Sequence, residues 1–437
     1  MKKLGKALVL GTAMLGLAGA AGAAEIDLNI YGASAQFLFW NAAGPSFLTN
    51  VRGCTATSQL QSADGKHGIT RGTGCDGGAN NINLRYSAKA SYDGPFAVFN
   101  SSDPQADLSC GSSTPALRNQ RKMIVSISNN TTACQPVHLG ASDVAVDSFT
   151  QYSEGNLFGP NGGVYTTRSF GGITVPPGVV TFQPVVVPFG FFVNKNVKVY
   201  TCENGSLAGN LCTPGTVTAD CGSGNTCSAN SLTNISREMA VQIFTGNIGK
   251  WSDFGASYFV DPGTDNSLVT CLRHAGSGTH ASMVYALMNN GLWGGAPAQF
   301  ESSTPPIVWF NDGSTDEMKC VNQLSGAIGY ADADQGLGSF PNTAALKYQG
   351  VTPARSAVRN GQYDFFANQW LYENTNNTPV GGAQDTLANQ LSAFASVPAN
   401  VPASKAAFWA TKGEMRYNKG TDQQYPAPVA ATNPQIP

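Results

Sequence analysis

The chain has 437 residues, enough for two domains of ordinary size, and its formal net charge at pH 7 is −2. Only 12% of its residues are charged, about half of the ~25% that is typical of soluble domains. No cluster of Lys and Arg follows Lys2 and Lys3, so the chain lacks the basic face of a nucleic-acid-binding protein, and we expect no nucleic-acid partner.

Residues 1–24 have the pattern of a secretory signal peptide. Lys2 and Lys3 precede an apolar stretch, and Ala-Gly-Ala-Ala ends directly before Glu25. The first cysteine is Cys54, which argues against a lipid-anchored cysteine at the cleavage site. No later segment has the roughly 18 apolar residues that a membrane-spanning helix needs. We therefore expect a protein that is exported to the periplasm, or to the cell exterior, and that does not span the membrane.

Predicted strands alternate with predicted helices from residue 26 onward. The run FQPVVVPFGFFVN is typical of a strand that is buried on both faces of its sheet. The alternation predicts an α/β fold with mixed, mainly parallel sheets. In chain order, the predicted elements are a strand and helix at 26–50, a strand running into a loop at 81–94, a strand at 133–146, the apolar strand at 182–194, a helix at 236–254 that begins after Ser236 and ends near Gly246, a strand, turn and helix at 268–291, a helix and strand at 314–333, and a further pair of elements at 357–374.

All ten cysteines follow the signal peptide, which fits an oxidising compartment. Two stretches rich in Gly, Ser, Thr and Asn, at 45–82 and 195–232, contain six of the ten, and we interpret both as surface insertions held by disulfides. The sequence alone leaves the connectivity open, and we expect pairing between neighbours in sequence. The expected pairs are Cys54–Cys75, Cys110–Cys134, Cys202–Cys212, Cys221–Cys227 and Cys271–Cys320.

The cysteines and histidines do not form the pattern of a metal site. There is no Cys-x-x-Cys pair, and the four histidines do not lie at zinc-site spacing from the cysteines. The absence of Cys-x-x-Cys-His excludes an attached c-type haem. We expect no metal and no other cofactor.

Four predicted strand ends carry small, hydroxyl-bearing turns. They are GASAQF at 32–37, YSAKAS at 86–91, GASD at 140–143 and RHAGSGT at 273–279. In open α/β sheets, ligands bind outside the carboxyl ends of the strands. The helix that begins at Gly-Ser-Gly-Thr adds free backbone N–H groups and the positive end of its dipole. Hydroxyls, N–H groups, one Arg and one Asp would together form a pocket suited to a small tetrahedral oxyanion.

In their arrangement and order, these motifs resemble the periplasmic phosphate-binding proteins of phosphate ABC transporters. The most specific landmarks are IFTGNIGKWSD at 243–253 and GAIGY at 326–330, because neither is a general ligand motif and each falls in the expected order. The resemblance covers residues 28–335, with a weaker match beyond. It implies a type II clamshell whose two α/β lobes are joined by a hinge. The expected division is residues 25–185 plus 336–437 for lobe 1, with the insertion at 45–82, and residues 186–335 for lobe 2, with the insertion at 195–232.

The resemblance also implies a function and a set of contacts. The function is capture of phosphate, or of a similar tetrahedral oxyanion, between the lobes for uptake through an ABC transporter permease, with no enzymatic activity. The family's oxyanion contacts fall on the following residues: Gln36, Phe37 through its backbone, Ser91, Asp143, Arg273, Ser277, Gly278 and Thr279.

Three positions depart from the family pattern. Gln36 stands where the family usually has a hydroxyl residue, and its longer amide can still donate a hydrogen bond. Ala275 stands where an aspartate usually holds the arginine, so we expect Arg273 to be less fixed and the pocket to be more positive. Lys89 lies in a loop that is usually glycine-rich, just before Ser91.

Two other function classes compete with solute binding. A hydrolase would need a nucleophile and base, but Ala275 and Thr279 flank Ser277 where a nucleophile elbow needs glycines, and no histidine follows His280. No Walker lysine follows the glycine-rich turn at 276–279. A structural or surface-associated module with the same fold and a degraded ligand site is compatible with the departures at Gln36 and Ala275, and it stays open at this point.

Overall fold

The structure is a computed structural model that describes residues 22–101, 108–111, 113–263, 265–292 and 295–429. The expected signal peptide lies outside the described residues except for its last three positions. None of the helices in the described ranges has the length and the apolar character needed to cross a membrane.

The fold is α/β with mixed sheets, as the sequence predicts. The helices are α1 Ser34–Asn50, α2 Asp93–Val98, α3 Val217–Cys221, α4 Arg237–Phe244, α5 Gly278–Met288, α6 Ser314–Gln323, α7 Arg355–Arg359 and α8 Ala383–Ala395. The strands are β1 Ala24–Ala33, β2 Ala56–Gln61, β3 His67–Cys75, β4 Asn80–Lys89, β5 Gln120–Ser126, β6 Thr131–Pro136, β7 Leu139–Ser142, β8 Gln151–Gly155, β9 Thr166–Phe170, β10 Val179–Phe182, β11 Val185–Asn194, β12 Val197–Cys202, β13 Cys227–Ser231, β14 Asn234–Ile235, β15 Tyr258–Val260, β16 Val269–Arg273, β17 Ile307–Asn311, β18 Ala327–Asp332, β19 Thr343–Tyr348, β20 Phe366–Asn368, β21 Trp370–Asn374, β22 Ala410–Thr411, β23 Tyr417–Asn418 and β24 Ala427–Pro428.

Helices and strands do not alternate throughout the chain, since β5 to β12 follow one another without an intervening α-helix. The expectation of mainly parallel sheets is wrong, because antiparallel pairs outnumber parallel ones among the described strands. The hairpins of β2–β3, β5–β6 and β8–β9 add antiparallel pairs that connect directly without a crossover helix.

The first sheet has seven strands in the order β10-β21-β7-β1-β4-β3-β2. Strand β1 lies at its centre and is parallel to both β4 and β7, with Ile30 opposite Tyr86 on one side and Leu139 on the other. Parallel pairing brings the carboxyl ends of β1, β4 and β7 to one edge of the sheet. The turns that follow these strands therefore lie side by side, as the sequence predicts for three of its four site motifs.

The second sheet has the main order β14-β19-β11-β18-β16-β17. All ten residues of β11 are buried, which is the arrangement that its continuous apolar sequence favours. Strand β16 is parallel to β17 and β18 and ends at Arg273, so this sheet contributes the fourth motif. Strands at 343–348, 366–368 and 410–411, from the part of the chain expected in lobe 1, also belong to this sheet.

Helix α5 follows Arg273 after a short turn and is buried along its whole length. The Ser277 hydroxyl caps it by accepting a hydrogen bond from the backbone N–H of His280 at 3.4 Å. A helix with apolar residues on every side is stable only inside the protein. This burial fixes the N-terminus of α5 beside the carboxyl end of β16.

The two cysteine-rich stretches are folded into sheets. In the first stretch, the hairpin of β2 and β3 extends the edge of the seven-stranded sheet next to β4. In the second stretch, β12 and β13 form a three-stranded sheet together with β15. Both stretches therefore add backbone pairing, in addition to the disulfides that the sequence predicts.

Three of the five expected disulfides are confirmed, and the two in the second stretch are wrong. The confirmed pairs are Cys54–Cys75, Cys110–Cys134 and Cys271–Cys320. In place of Cys202–Cys212 and Cys221–Cys227, the structure has Cys202–Cys221 and Cys212–Cys227. The reason is that α3 ends at Cys221 and returns that residue to β12, where Cys202 lies, which leaves Cys212 to pair with β13.

We predict that loss of the longest loop closure destabilises the protein most. In the chain-entropy model, closing the 49-residue separation of Cys271 and Cys320 contributes about 4 kcal/mol, and closing the 15-residue separation of Cys212 and Cys227 contributes about 3 kcal/mol. In denaturant unfolding, the double Cys→Ala variant at Cys271 and Cys320 should lose more free energy of unfolding than the double variant at Cys212 and Cys227. Peptide mapping of the unreduced protein should recover the Cys202–Cys221 and Cys212–Cys227 pairs, and recovery of Cys202–Cys212 would contradict this connectivity.

Candidate functional site

The guanidinium of Arg273 is buried at the end of β16, with 1% of the residue exposed. Its Nε donates to the carbonyl of Asn311 at 3.3 Å, and its Nη2 donates to the carbonyl of Asp312 at 2.8 Å. Its Nη1 donates to the hydroxyls of Ser34 and Ser314, both at 3.1 Å. These contacts use four of the five N–H donors of the guanidinium. Among the described residues, no carboxylate forms an ion pair with it.

Neutral hydrogen-bond acceptors hold Arg273 in place although position 275 is an alanine and not an aspartate. The expectation that Arg273 is poorly fixed without an aspartate at that position is wrong, because two carbonyls and two hydroxyls hold the guanidinium. Ala275 itself is buried in an apolar cluster with Phe170, and its backbone N–H donates to the Ser153 hydroxyl at 3.1 Å.

The structure brings Ser91, Asp143, Gly278 and Thr279 together at the N-terminus of α5. The Ser91 hydroxyl donates to Asp143 Oδ2 at 3.0 Å and accepts the Asp143 backbone N–H at 3.2 Å. A Cβ added to Gly278 would lie 2.6 Å from both Asp143 Cβ and Ser91 Oγ. Helix α5 therefore closes directly onto the turns that follow β4 and β7, and only glycine fits at position 278 in this arrangement.

Burial raises the pKa of Asp143 to about 7. The Ser91 hydroxyl, the charge of Arg273 and the Thr279 hydroxyl each act to lower that pKa, but together they do not offset the loss of solvent. Asp143 Oδ1 and Thr279 Oγ1 are both buried and lack a hydrogen-bond partner of good geometry. Near neutral pH this carboxyl group therefore exchanges between its acceptor-only form and a form that can donate a proton.

The two site residues predicted on α1 have different surroundings. The Gln36 amide donates to the carbonyls of Ser142 and Trp370 at 3.0 and 3.2 Å, and its oxygen accepts from Trp40 Nε1 at 2.8 Å. All donors of this amide are therefore engaged in joining α1 to β7 and β21. Phe37 is buried and its ring packs edge-on against Tyr86, while the residue also lines a cavity described below.

Sequence reasoning missed Ser34 and Ser314, which begin helices α1 and α6. Neither helix has a side-chain cap, and the two hydroxyls lie 3.1 Å apart with Arg273 donating to both. The positive ends of two helix dipoles thus meet at the guanidinium. Ser34 lies within the motif GASAQF, and Ser314 stands at the start of the predicted helix and strand at 314–333. No local pattern shows that the two would meet at Arg273, because they follow strands of different sheets.

A cavity of about 120 Å³ is lined by these two serines together with residues of α1, β4 and the start of α6. Lys89 Nζ, at the end of β4, contacts both Asp312 carboxylate oxygens at 2.8 and 2.9 Å. Lys66 Nζ, before β3, lies 3.4 Å from Asp316 Oδ2 on α6. We call these two ion pairs the rim pairs. Although burial alone would raise the pKa of Asp312, the charge of Lys89 holds that pKa well below its usual range, so the rim pair stays ionised.

The histidines near Arg273 are neutral structural residues. Burial lowers the pKa of His280 to about 3, and its Nδ1 lies 2.6 Å from the hydroxyl of Tyr330. That hydroxyl in turn accepts the backbone N–H of Arg273. Burial also lowers the pKa of His274 well below its usual range, and its ring stacks on Phe170. Neither imidazole contacts the Ser277 hydroxyl, which is engaged by the backbone of α5.

One group of potential metal ligands lies elsewhere. The sulfur atoms of Cys202, Cys212 and Cys221 lie within 4.8 Å of one another. All three are in disulfides, and the described residues contain no free cysteine. These sulfurs therefore offer no thiolate to a metal ion.

Residues 182–415, more than half of the chain, match the family model of the PBP superfamily domain. This range includes β11, Arg273, helix α5 and both strands that flank β16. None of the curated protein sequences compared with the chain matches it.

Several solved structures resemble the chain. A protein from Clostridium perfringens, assigned as a phosphate ABC transporter substrate-binding protein and solved with bound phosphate, has 12% identity and a TM-score of 0.45, with 86% of this chain and 98% of that chain covered. A phosphate binding protein from Stenotrophomonas maltophilia has 12% identity and a TM-score of 0.39, with 87% and 96% covered. An ABC-type phosphate transport receptor from Vibrio cholerae has 11% identity and a TM-score of 0.37, with 84% and 93% covered.

Gly278→Ala should destabilise the protein, because its Cβ would lie 2.6 Å from Ser91 Oγ and from Asp143 Cβ. Inserting a methyl group into a packed site costs about 1–3 kcal/mol. The matched control is Gly336→Ala, where no atom lies within 4 Å of the added Cβ. Denaturant unfolding should show a loss for the first variant only, and equal stability of the two variants would contradict the close approach of α5.

Because burial raises the pKa of Asp143, we predict that the stability of the folded protein falls as the pH rises toward neutral. The pKa of Asp143 is about 7 in the folded protein, against an ordinary value of 3.8. Between pH 3.8 and pH 7 the folded state therefore binds more protons than the unfolded state. The stability that comes from this protonation is lost as the pH rises through 7. Asp143→Asn removes this loss and should raise the melting temperature more at pH 8 than at pH 5. The exposed Asp265, whose pKa is lowered by hydrogen bonds from Ser267, supplies the control variant Asp265→Asn, which should not show this rise between pH 5 and pH 8.

Proposed function

Since the chain belongs to the PBP superfamily, we propose that it is a solute-binding protein that captures phosphate, or a similar tetrahedral oxyanion, at the N-terminus of α5. The proposed contacts are the sequence-predicted ones other than Gln36, whose amide donates to the carbonyls of Ser142 and Trp370. Arg273 is the charged donor, and Asp143 is the group that selects the ion. The proposal includes export to the periplasm and delivery to an ABC transporter permease, and it assigns no enzymatic activity.

The observation that carries this proposal is the buried, unpaired charge of Arg273. A buried cation is costly unless a counter-ion or a dense set of hydrogen bonds compensates it. Carbonyls and hydroxyls satisfy four N–H donors, but they do not neutralise the charge. An anion beside the last donor, at the positive end of α5, would do so. Glu317 does not supply that charge at neutral pH, because burial raises its pKa well above the usual range.

Ligand access requires the two sheets to separate. Gly278 lies against Ser91 and Asp143, so these residues leave no space for an ion between them in the closed arrangement. Hinge motion about a ligand site is one of the known ways in which two-lobed proteins open. We propose that α5 and Arg273 move with the second sheet, away from Ser91 and Asp143 on the first, and that the rim pairs break when this happens.

The same contact favours one competing function. A structural module of this fold would be expected to seal its old ligand site, and the packing of Gly278 on Ser91 resembles such a seal. A hydrolase has no comparable support, since the Ser277 hydroxyl has no imidazole beside it.

Calorimetric titration with phosphate, arsenate, sulfate and molybdate separates these functions. A solute-binding protein gives a saturable heat with at least one of these ions, and the same ion raises the melting temperature because it binds only the native state. Arg273→Gln should abolish both effects. If none of the four ions gives heat or a shift in melting temperature, the solute-binding proposal is overturned and the structural module with a sealed ligand site is favoured.

The pH-dependent charge of Asp143 predicts how the protein discriminates between ions. Above pH 8 the ionised carboxylate accepts the proton of hydrogen phosphate, whereas sulfate has no proton to donate and is repelled. Below pH 6 the protonated carboxyl can donate to sulfate. The ratio of the sulfate to the phosphate dissociation constant should therefore rise about tenfold or more from pH 5.5 to pH 8.5, as expected for a buried acceptor left unpaired.

In Asp143→Asn this ratio should fall and should lose most of its pH dependence, because the amide donates to either ion at any pH. The titrations are made at one ionic strength. A wild-type ratio that does not change with pH, or a variant ratio equal to that of the wild type, would remove Asp143 from the site.

A further inference from the structure

The cavity beside Arg273 indicates what is attached to the captured anion. We propose that the ligand is a phosphate monoester with a short, hydroxylated organic group, and that this group occupies the 120 Å³ cavity lined by Ser34 and Ser314. This inference rests on the proposed oxyanion function and narrows it from an inorganic ion to a class of small organic phosphates.

The cavity and the proposed anion position share residues. Ser34 and Ser314 line the cavity, and the same two hydroxyls accept hydrogen bonds from Arg273 Nη1. Phe37 also lines the cavity, and its backbone is one of the anion contacts predicted from the sequence. An oxyanion held by Arg273, the N-terminus of α5 and the backbone of Phe37 would therefore lie next to residues that line the cavity, and its ester group could extend into that cavity.

The size of the cavity leaves room for more than an inorganic ion. A single water needs about 10–15 Å³ measured in this way, so 120 Å³ has room for a group of several non-hydrogen atoms. An inorganic phosphate bound at the helix ends would leave this volume unused. A two- or three-carbon chain with hydroxyl groups would fill it.

The lining specifies a neutral, hydroxylated group. Each charge that faces the cavity already has a partner in the rim pairs, so a second charged group on the ligand would have no free counter-ion. Phe37, Leu38 and Ala88 supply an apolar wall. Gln61, Thr315 and Gln335 supply amide and hydroxyl groups that both donate and accept, which is the pattern that alcohol groups match.

The hydroxyl protons of the two serines support the same conclusion. Each serine oxygen accepts from Arg273, and one of the two hydroxyl protons bridges the 3.1 Å between them. Among the described residues, no group accepts the second hydroxyl proton. It is available to an ester oxygen or a hydroxyl oxygen that enters the cavity.

The test uses a substitution that fills the cavity and leaves the proposed anion contacts unchanged. Ala88 is partly buried on the cavity wall, and the flexible side chain of Ala88→Met would occupy the space. The control is Ala79→Met, an exposed position just before the same strand. Both variants and the wild type are titrated with inorganic phosphate and with glycerol 3-phosphate, and their melting temperatures verify that they fold.

We expect wild type to bind glycerol 3-phosphate at least tenfold more tightly than inorganic phosphate. Ala88→Met should weaken the ester at least tenfold and change inorganic phosphate less than twofold, and Ala79→Met should change neither. The inference is overturned if wild type binds phosphate but not the ester, or if Ala88→Met weakens both equally. Failure of wild type to bind either compound overturns this inference, and the proposed function fails with it only if arsenate, sulfate and molybdate also give no heat.

If Ala88→Met fails to fold, Leu38→Phe is the second variant, since Leu38 lines the same wall and is only partly buried. The same selective loss of ester binding is expected, and an unchanged preference for the ester would again overturn the inference.

Discussion

The burial of one guanidinium without a carboxylate partner determines how the two sheets meet. Because Arg273 must be compensated by neutral acceptors, carbonyls from the end of β17 and hydroxyls from the starts of α1 and α6 all converge on it. Ser34 belongs to the first sheet's connections and Ser314 to the second's. The arginine is therefore both the centre of the candidate site and a link between the two halves of the structure.

The carboxyl groups around this cation are arranged so that they do not neutralise it. Burial raises the pKa of Asp143 to about 7 and that of Glu317 well above its usual range. Glu317 is further occupied in accepting the backbone N–H of Tyr330 at 2.9 Å. At neutral pH the net charge around Arg273 is therefore positive. Protonation or deprotonation of Asp143 changes this net charge.

Local patterns predicted the parts of the fold that depend on neighbouring residues. The apolar run of β11, the Ser277 cap of α5 and the turns after β1, β4 and β7 could all be read from short stretches, because burial and capping are set within a few positions. The partners of Arg273 could not be predicted, since Ser314 and the carbonyl of Asp312 reach it only after the second sheet has formed. The crossed disulfides were missed for the same reason, because α3 decides where Cys221 lies.

The rim pairs have a kinetic consequence for the proposed clamshell. Both join the first sheet to the loop and helix after β17, so breaking them adds to the barrier for opening. The Lys66 and Lys89 side chains are about a third exposed, and the screening length falls from about 10 Å at 0.1 M salt to about 3 Å at 1 M. Dissolved salt therefore weakens the attraction across the rim pairs, so we expect the proposed separation of the two sheets to become faster as the ionic strength rises.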